Sequence, residues 1–316
     1  MTGKDIESKI TDNNRKQMIR NPSNKLKGIL YAAVSSSTFG LAPFFSILLL
    51  SIGFSSFEVL SYRWGVASAT LVIFGLLTGC NFRLSGKAFI TVFWLSLFRA
   101  ATSLSLVIAY QNISSGVASI IHFMYPLAVA MTMMIFFKEK RSGWVITAIL
   151  MSIIGAVLLS TGNIDHTGGN STLGILTACI SIFAYAGYII GVRKSRAVEI
   201  NSTVLTCYVM AIGALLFIVC GCFTSGIRLV TDGHAWLYIL GLALPATAIS
   251  NMTLVKAVKY IGPTLTSIFG AMEPLTAVVI GALAFKERFT IEGMVGILLI
   301  VSAVSIVILR EKRSSR

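Results

Sequence analysis

The chain of 316 residues is 55% hydrophobic and only 12% charged, with a mean hydropathy of +0.84. A water-soluble domain carries about 25% charged residues, so too little polar surface exists here to coat a soluble globule. The net charge of +14 raises nucleic-acid binding, but that needs Lys and Arg clustered on one folded face, whereas here they sit in short runs between apolar stretches and at both ends.

Residues 1–27 are hydrophilic and rich in Asn, Ser, Lys and Arg. They read as a disordered, basic cytoplasmic tail, and the first apolar stretch is too long for the core of a cleaved signal peptide. A spanning helix needs about 20 mostly apolar residues. Ten stretches qualify, at 28–52, 57–78, 88–110, 115–137, 143–161, 172–192, 203–224, 235–258, 263–285 and 291–309. The expected fold class is therefore all-α integral membrane, with a second short basic tail at 310–316.

Charge sets the expected topology. With the N-terminus inside, cytoplasmic segments hold 21 of the 26 Lys and Arg, and the other side holds three, Arg228, Lys286 and Arg288. Under the positive-inside rule both termini are cytoplasmic. Arg63 and Arg99 lie within spans.

The chain also repeats itself. The segment starting at Ser119 aligns without gaps to the one starting at Ser267, with eight of 22 positions matching at an offset of 148. Met124 matches Met272, Pro126 matches Pro274, and Phe137-Lys138-Glu139 matches Phe285-Lys286-Glu287. The fourth span thus falls on the ninth, and by extension residues 28–161 form one five-helix repeat and 172–309 another. Five is odd, so the second repeat crosses the bilayer in the reverse sense, giving a 5+5 inverted repeat. Such a plan recurs in secondary transporters, because two near-equivalent halves have two related states open to opposite sides.

The Pro-centred helix ending in Phe285-Lys286-Glu287 resembles the EamA-type repeat of the drug/metabolite transporter superfamily, over about 25–310. The resemblance implies a bacterial inner-membrane, multi-pass carrier with a central cavity, exporting amino acids, metabolites or drugs. Tyr125 stands in the first repeat where the second has Glu273, so the halves offer different groups to the midplane.

An ionisable group at the bilayer centre costs at least about 2.5–3.5 kcal/mol, so it faces a cavity or a partner. Arg99 lies near the middle of the third span and Glu273 near the middle of the ninth. Arg63 and His122 lie roughly 5–7 Å beyond the midplane at about 1.5 Å per residue. One reading places Arg99 against an anionic group of the substrate, with Glu273 binding a cationic group or carrying a proton. The other is a structural Arg99–Glu273 ion pair. For Arg63 the alternatives to binding are snorkelling to the outer headgroups or pairing with Glu58. His122 is a proton-coupling candidate, with an unperturbed pKa near ~6.5, or an interhelical hydrogen bonder.

Ser37, Thr38, Tyr185, Tyr188 and Asn251 could line the same cavity, although hydroxyl residues in membranes are often packing contacts. Pro43, Pro126, Pro245 and Pro274 lie within spans and predict bends, which could act as hinges. Gly187 and Gly191 have the spacing of a close helix contact. Glu139 and Glu287 end matching helices on opposite faces, where they could latch gates or anchor the interface.

The five cysteines read as small apolar filler, and Cys220 and Cys222 lack further ligands, so neither a metal site nor a cofactor is expected. No Walker A loop, HExxH or Gly-x-Ser-x-Gly elbow occurs, so an enzyme is not expected. The expected function is a secondary transporter of small zwitterionic or anionic metabolites, with protons as candidate coupling ions. The alternative is a non-transporting membrane sensor or assembly protein. Nothing in the sequence sets the oligomeric state.

Overall fold

The computed structural model describes residues 22–113, 115–139, 143–160, 169–224, 226–285 and 291–313. Several helices start where the sequence supplies a side-chain oxygen to free amides. Ser55 accepts from Glu58 N at 3.2 Å, Ser85 from Ala88 N at 3.3 Å and Asn170 from Leu173 N at 3.1 Å. In chain order the helices are α1 (Pro22–Phe39), α2 (Ala42–Ser51), α3 (Ser56–Leu77), α4 (Gly86–Asn112), α5 (Ser115–His122), α6 (Tyr125–Ile135) and α7 (Gly143–Ser160). There follow α8 (Ser171–Lys194), α9 (Ser202–Phe223), α10 (Gly233–Ala243), α11 (Ser250–Ile261), α12 (Pro263–Phe269), α13 (Met272–Phe285) and α14 (Ile291–Arg313). No strand occurs among the described residues.

Seven segments of the described chain are long and apolar enough to cross a bilayer: Ser23–Ser51, Ser56–Leu77, Gly86–Asn112, Val117–Ile135, Ser171–Lys194, Ser202–Phe223 and Gly233–Ile261. Gly143–Gly155 and Ile291–Ile306 are shorter apolar helices. Large apolar side chains such as Phe183 (71% exposed) and Phe223 (87%) point outward, as a surface solvated by lipid requires. The interior holds Trp64, Arg99, Tyr125 and Tyr188 instead.

The expected bends are interruptions. α1 gives way to α2 at Gly40–Leu41 before Pro43, α5 to α6 at Phe123–Met124 before Pro126, and α12 to α13 at Gly270–Ala271 before Pro274. A proline cannot donate the helical hydrogen bond and its ring crowds the preceding turn, so the new half-helix starts with Pro near its first position. Pro245 acts differently. It sits in a π-helical stretch, Leu244–Ile249, that joins α10 to α11.

The most extensive packing joins α3 to α9, α4 to α8, α7 to α14 and α1 to α11. Each pair takes one helix from either side of residue 170. Under the correspondence that the 148-residue offset predicts, exchanging the halves maps α4–α8 onto α1–α11 and leaves the other two pairs unchanged. Gly187 and Gly191 do make the close contact their spacing suggests: a Cβ there would come within 3.0 Å of the Phe98 ring and 2.6 Å of Leu95, which seats α8 against α4.

Candidate functional site

The interruptions meet at the centre. A Cβ on Gly40 would lie 2.6 Å from the Glu273 carbonyl oxygen and 2.8 Å from Thr276, so the α1–α2 break abuts the start of α13. A Cβ on Gly270 would fall 1.7 Å from the Tyr125 hydroxyl, so the α12–α13 break receives the first residue of α6. Only glycine leaves room at these two places.

Around this junction lie the ionisable residues. Arg99, 1% exposed, donates from Nε to Asn251 Oδ1 at 2.7 Å and from Nη1 to Ser103 Oγ at 3.2 Å. Its guanidinium lies 5.2 Å from the Phe39 and Tyr185 ring centres and 5.9 Å from Tyr188. Aromatic faces attract a cation without neutralising it. Among the described residues Arg99 makes no ion pair, so the direct Arg99–Glu273 salt bridge considered from depth alone is not formed.

Arg63 approaches the same Phe39 ring. It is 4% exposed, donates from Nε to Thr247 Oγ1 at 2.6 Å, and sits 5.7 Å from the Phe39 ring centre. Its buried Nη2 has no hydrogen-bond partner. The snorkelling and Glu58-pairing readings are therefore corrected. Five residues on a helix place two side chains about 140° apart around the axis, so Glu58 faces elsewhere. It pairs with Arg228 at 3.1 Å and caps α3 through Ser55 N at 2.8 Å.

The π-helical stretch supplies Thr247, whose carbonyl in turn holds Asn251 at the start of α11. Thr247 donates to Leu242 O at 2.7 Å, and Asn251 Nδ2 donates to Thr247 O at 2.7 Å. Residues four apart share a helix face, so Thr247 holds Arg63 while Asn251 holds Arg99.

From Arg99 a run of rings leads to Glu273. Tyr185 meets Tyr125 edge to face at 4.6 Å, and Tyr125 donates its hydroxyl to Glu273 Oε1 at 3.4 Å. His122 lies 5.3 Å from both tyrosine rings. Its Nδ1 is 2.8 Å from Ser181 Oγ, and that hydroxyl donates to Ala178 O. Since a serine has one proton to give, His122 donates from Nδ1, and in the neutral ring Nε2 is then a buried acceptor with no partner.

Other expected members stand apart from this contact set. Thr38 bonds back to Val34 O at 2.7 Å within its own helix, and Ser37 beside it is half-buried. Tyr188 joins the site through its ring against Arg99, with its buried hydroxyl unpartnered. Glu139 follows α6, its amide donating to Met133 O at 3.1 Å, and Glu287 lies outside the described residues. Phe39, Ser103, Ser181 and Thr247 were not anticipated. The one available signal was Thr247, four residues before Asn251 and just after Pro245.

The comparisons with known proteins agree with this architecture. The sequence profile of the EamA-like transporter family matches twice, over residues 26–161 and 172–309. An uncharacterized inner membrane transporter, YicL, of Salmonella typhimurium is 24% identical over 67% of this chain and 70% of its own length. An uncharacterized transporter of Archaeoglobus fulgidus is 26% identical over 74% of this chain and 83% of its own length. A solved structure, described only as the crystal structure of a protein, superposes with a TM-score of 0.76 at 17% identity, covering 94% of this chain and all 100% of that one. That likeness shows the fold. With two profile matches that together span most of its length, the chain belongs to the EamA-like transporter family and is a multi-pass membrane protein.

Proposed function

We propose that the protein is a secondary transporter that exports small anionic or zwitterionic, amino-acid-like metabolites across the inner membrane by alternating access. The observation that carries the substrate class is the pair Arg63 and Arg99. Both are buried, both face Phe39, and neither has a carboxylate partner among the described residues. A buried cation left without a counter-ion is costly, and a substrate carboxylate supplies one, accepting from the unpartnered Arg63 Nη2. Glu273, on the far side of Tyr185 and Tyr125, takes the amino group of a zwitterion or a proton.

The alternating-access plan draws on ten spans in two inverted repeats, 28–161 and 172–309, with both termini cytoplasmic. Its support is the 148-residue offset, the charge split, and a packing pattern unchanged by exchange of halves. Pro43, Pro126 and Pro274 supply the hinges, since half-helices joined by one or two residues can tilt without losing their internal hydrogen bonds. No ATP-binding loop occurs in the sequence, so uphill export draws on a gradient, with protons the candidate ion.

The test is flux of labelled amino acids and related carboxylates in proteoliposomes, with and without an imposed pH gradient, beside Glu273→Gln. Gradient-driven flux that needs Glu273 supports the coupled exporter. Flux equal in both proteins and indifferent to pH makes it a facilitator. Transport restricted to lipophilic cations would sink the substrate class.

A further inference from the structure

A second polar site lies away from the central one, where α11 ends beside the turn between α8 and α9. A cavity of about 750 Å³ opens here, walled by Tyr31 and Tyr260 and receiving Arg193, Lys256 and Lys259. A neighbouring cavity of about 540 Å³ shares Thr78, Cys80, Glu199 and Asn201 with it and adds Arg83 and Arg196. Three cations thus line the first cavity and two more the adjoining one, against a single carboxylate, Glu199, among the described lining residues.

These charges are not merely strewn on loops, which is all that the positive-inside rule requires. Lys256, Lys259 and Arg193 are half-buried. Lys259 donates to Ile200 O, and Arg193 Nη1 donates to Lys259 O at 2.7 Å, so two of the three cations are locked to backbone. The Lys256 ammonium lies 5.1 Å from the Tyr31 ring centre, and Tyr31 in turn stacks on Tyr260 at 5.9 Å. One edge of the cavity adjoins an exposed apolar surface. Phe74 lines it and is 44% exposed, and Leu77, near the end of the same helix, is 82% exposed. A phosphate-sized anion inside would therefore sit beside a surface made for acyl chains.

We propose that this cavity binds the phosphate headgroup of an anionic phospholipid, with its chains lying against Phe74 and Leu77. Basic pockets between membrane helices recognise such headgroups, each cation near the surface adding affinity. The binding needs only the bilayer and is independent of what the central site transports. Free phosphate, or a soluble phosphate ester, offers the same anion without the chains.

The test uses the full chain in detergent, with bound lipid counted by native mass spectrometry after adding phosphatidylglycerol or, for comparison, phosphatidylcholine. Phosphatidylglycerol should remain on the wild-type chain and on Lys194→Gln, a charge-matched change at an exposed position outside the cavity. Lys256→Gln should bind about fivefold less, and Lys256→Arg should bind as the wild type does. Equal retention of phosphatidylcholine, or no loss with Lys256→Gln, would overturn the site. Millimolar inorganic phosphate is added to the wild-type chain, so this arm depends on no variant. If phosphate displaces the lipid, the site belongs to a soluble anion and the lipid assignment fails; if the lipid stays, the assignment holds.

Discussion

Tyr125 and Glu273 occupy equivalent positions in the two halves, 148 residues apart, and hydrogen-bond to each other at 3.4 Å. Each stands in the first turn of a half-helix that restarts after a break, followed at once by proline. The contact therefore joins the interruption of one repeat's helix to that of the other. Divergence to a phenol on one side and a carboxylate on the other makes it a donor–acceptor pair, where two carboxylates would repel and two phenols would leave no charge.

Removing the hydroxyl tests that pairing. Tyr125→Phe keeps the ring against Tyr185 and removes only the donor to Glu273. A hydrogen bond contributes about 0.5–1.5 kcal/mol, and at 3.4 Å the low end applies. Gradient-driven flux in proteoliposomes is expected to fall about two- to threefold, with little change in the thermal midpoint. Unchanged flux would show that Glu273 works without Tyr125.

The neighbouring glycine makes a sharper structural prediction. The Tyr125 hydroxyl lies where a Gly270 Cβ would be, 1.7 Å away, so Gly270→Ala forces the phenol out of its seat. Overpacking of this kind costs about 1–3 kcal/mol. In a double-mutant cycle with Tyr125→Leu, whose shorter side chain vacates the space, the alanine should cost less, keeping only its 2.8 Å approach to the Ser267 carbonyl. Additive losses of thermal stability would mean that Tyr125 and Gly270 do not meet.

The arginines should respond differently to the same chemical change. Arg99 uses a planar fork, giving Nε to Asn251 and Nη1 to Ser103 while lying against three rings. A lysine keeps the charge but cannot reproduce that geometry, so Arg99→Lys is expected to lose at least about tenfold in flux. Thr247→Val removes the acceptor that orients Arg63 while nearly preserving volume. It should raise the substrate concentration needed for half-maximal flux by about fivefold, matching a hydrogen bond worth about 1 kcal/mol, and leave the maximal rate close to wild type. A loss in maximal rate alone would place Arg63 in the conformational step instead of in binding.

The sequence exposed the frame more readily than the site for a physical reason. A bilayer demands long apolar segments, and a duplicated helix leaves a constant offset, so both the spans and the equivalence of Tyr125 with Glu273 are one-dimensional signals. Depth is nearly so, and it singles out Arg99, His122 and Glu273 as candidates. Direction is not. Arg63 looked close to Glu58 along the chain, yet the helical turn separates them and sends Arg63 inward to Thr247. Phe39 carries no mark in the sequence that distinguishes it from the other phenylalanines. Its importance comes from two arginines that approach from α3 and α4, a convergence that exists only once the helices pack.

Glu58 offers the last prediction, because it serves three partners at once. Its Oε2 accepts from Ser55 N at 2.8 Å, completing a reciprocal cap on α3, while Oε1 accepts from Arg228 N at 3.1 Å and meets the Arg228 guanidinium, also at 3.1 Å. The ion pair alone is worth little, since Arg228 is 49% exposed and exposed pairs contribute about 0–1 kcal/mol. The cap adds about 1 kcal/mol, and the loop amide would lose its acceptor as well. Arg228→Ala should therefore lower the thermal midpoint only slightly, and Glu58→Ala clearly more, with Glu58→Gln between them because an amide oxygen can still accept from Ser55. If the two alanine variants were equally destabilised, the guanidinium contact, and not the cap, would be what fastens the start of α3 to the segment before α10. The same measurement in 0.5 M salt separates the cases, since screening weakens an exposed pair and leaves a backbone cap in place.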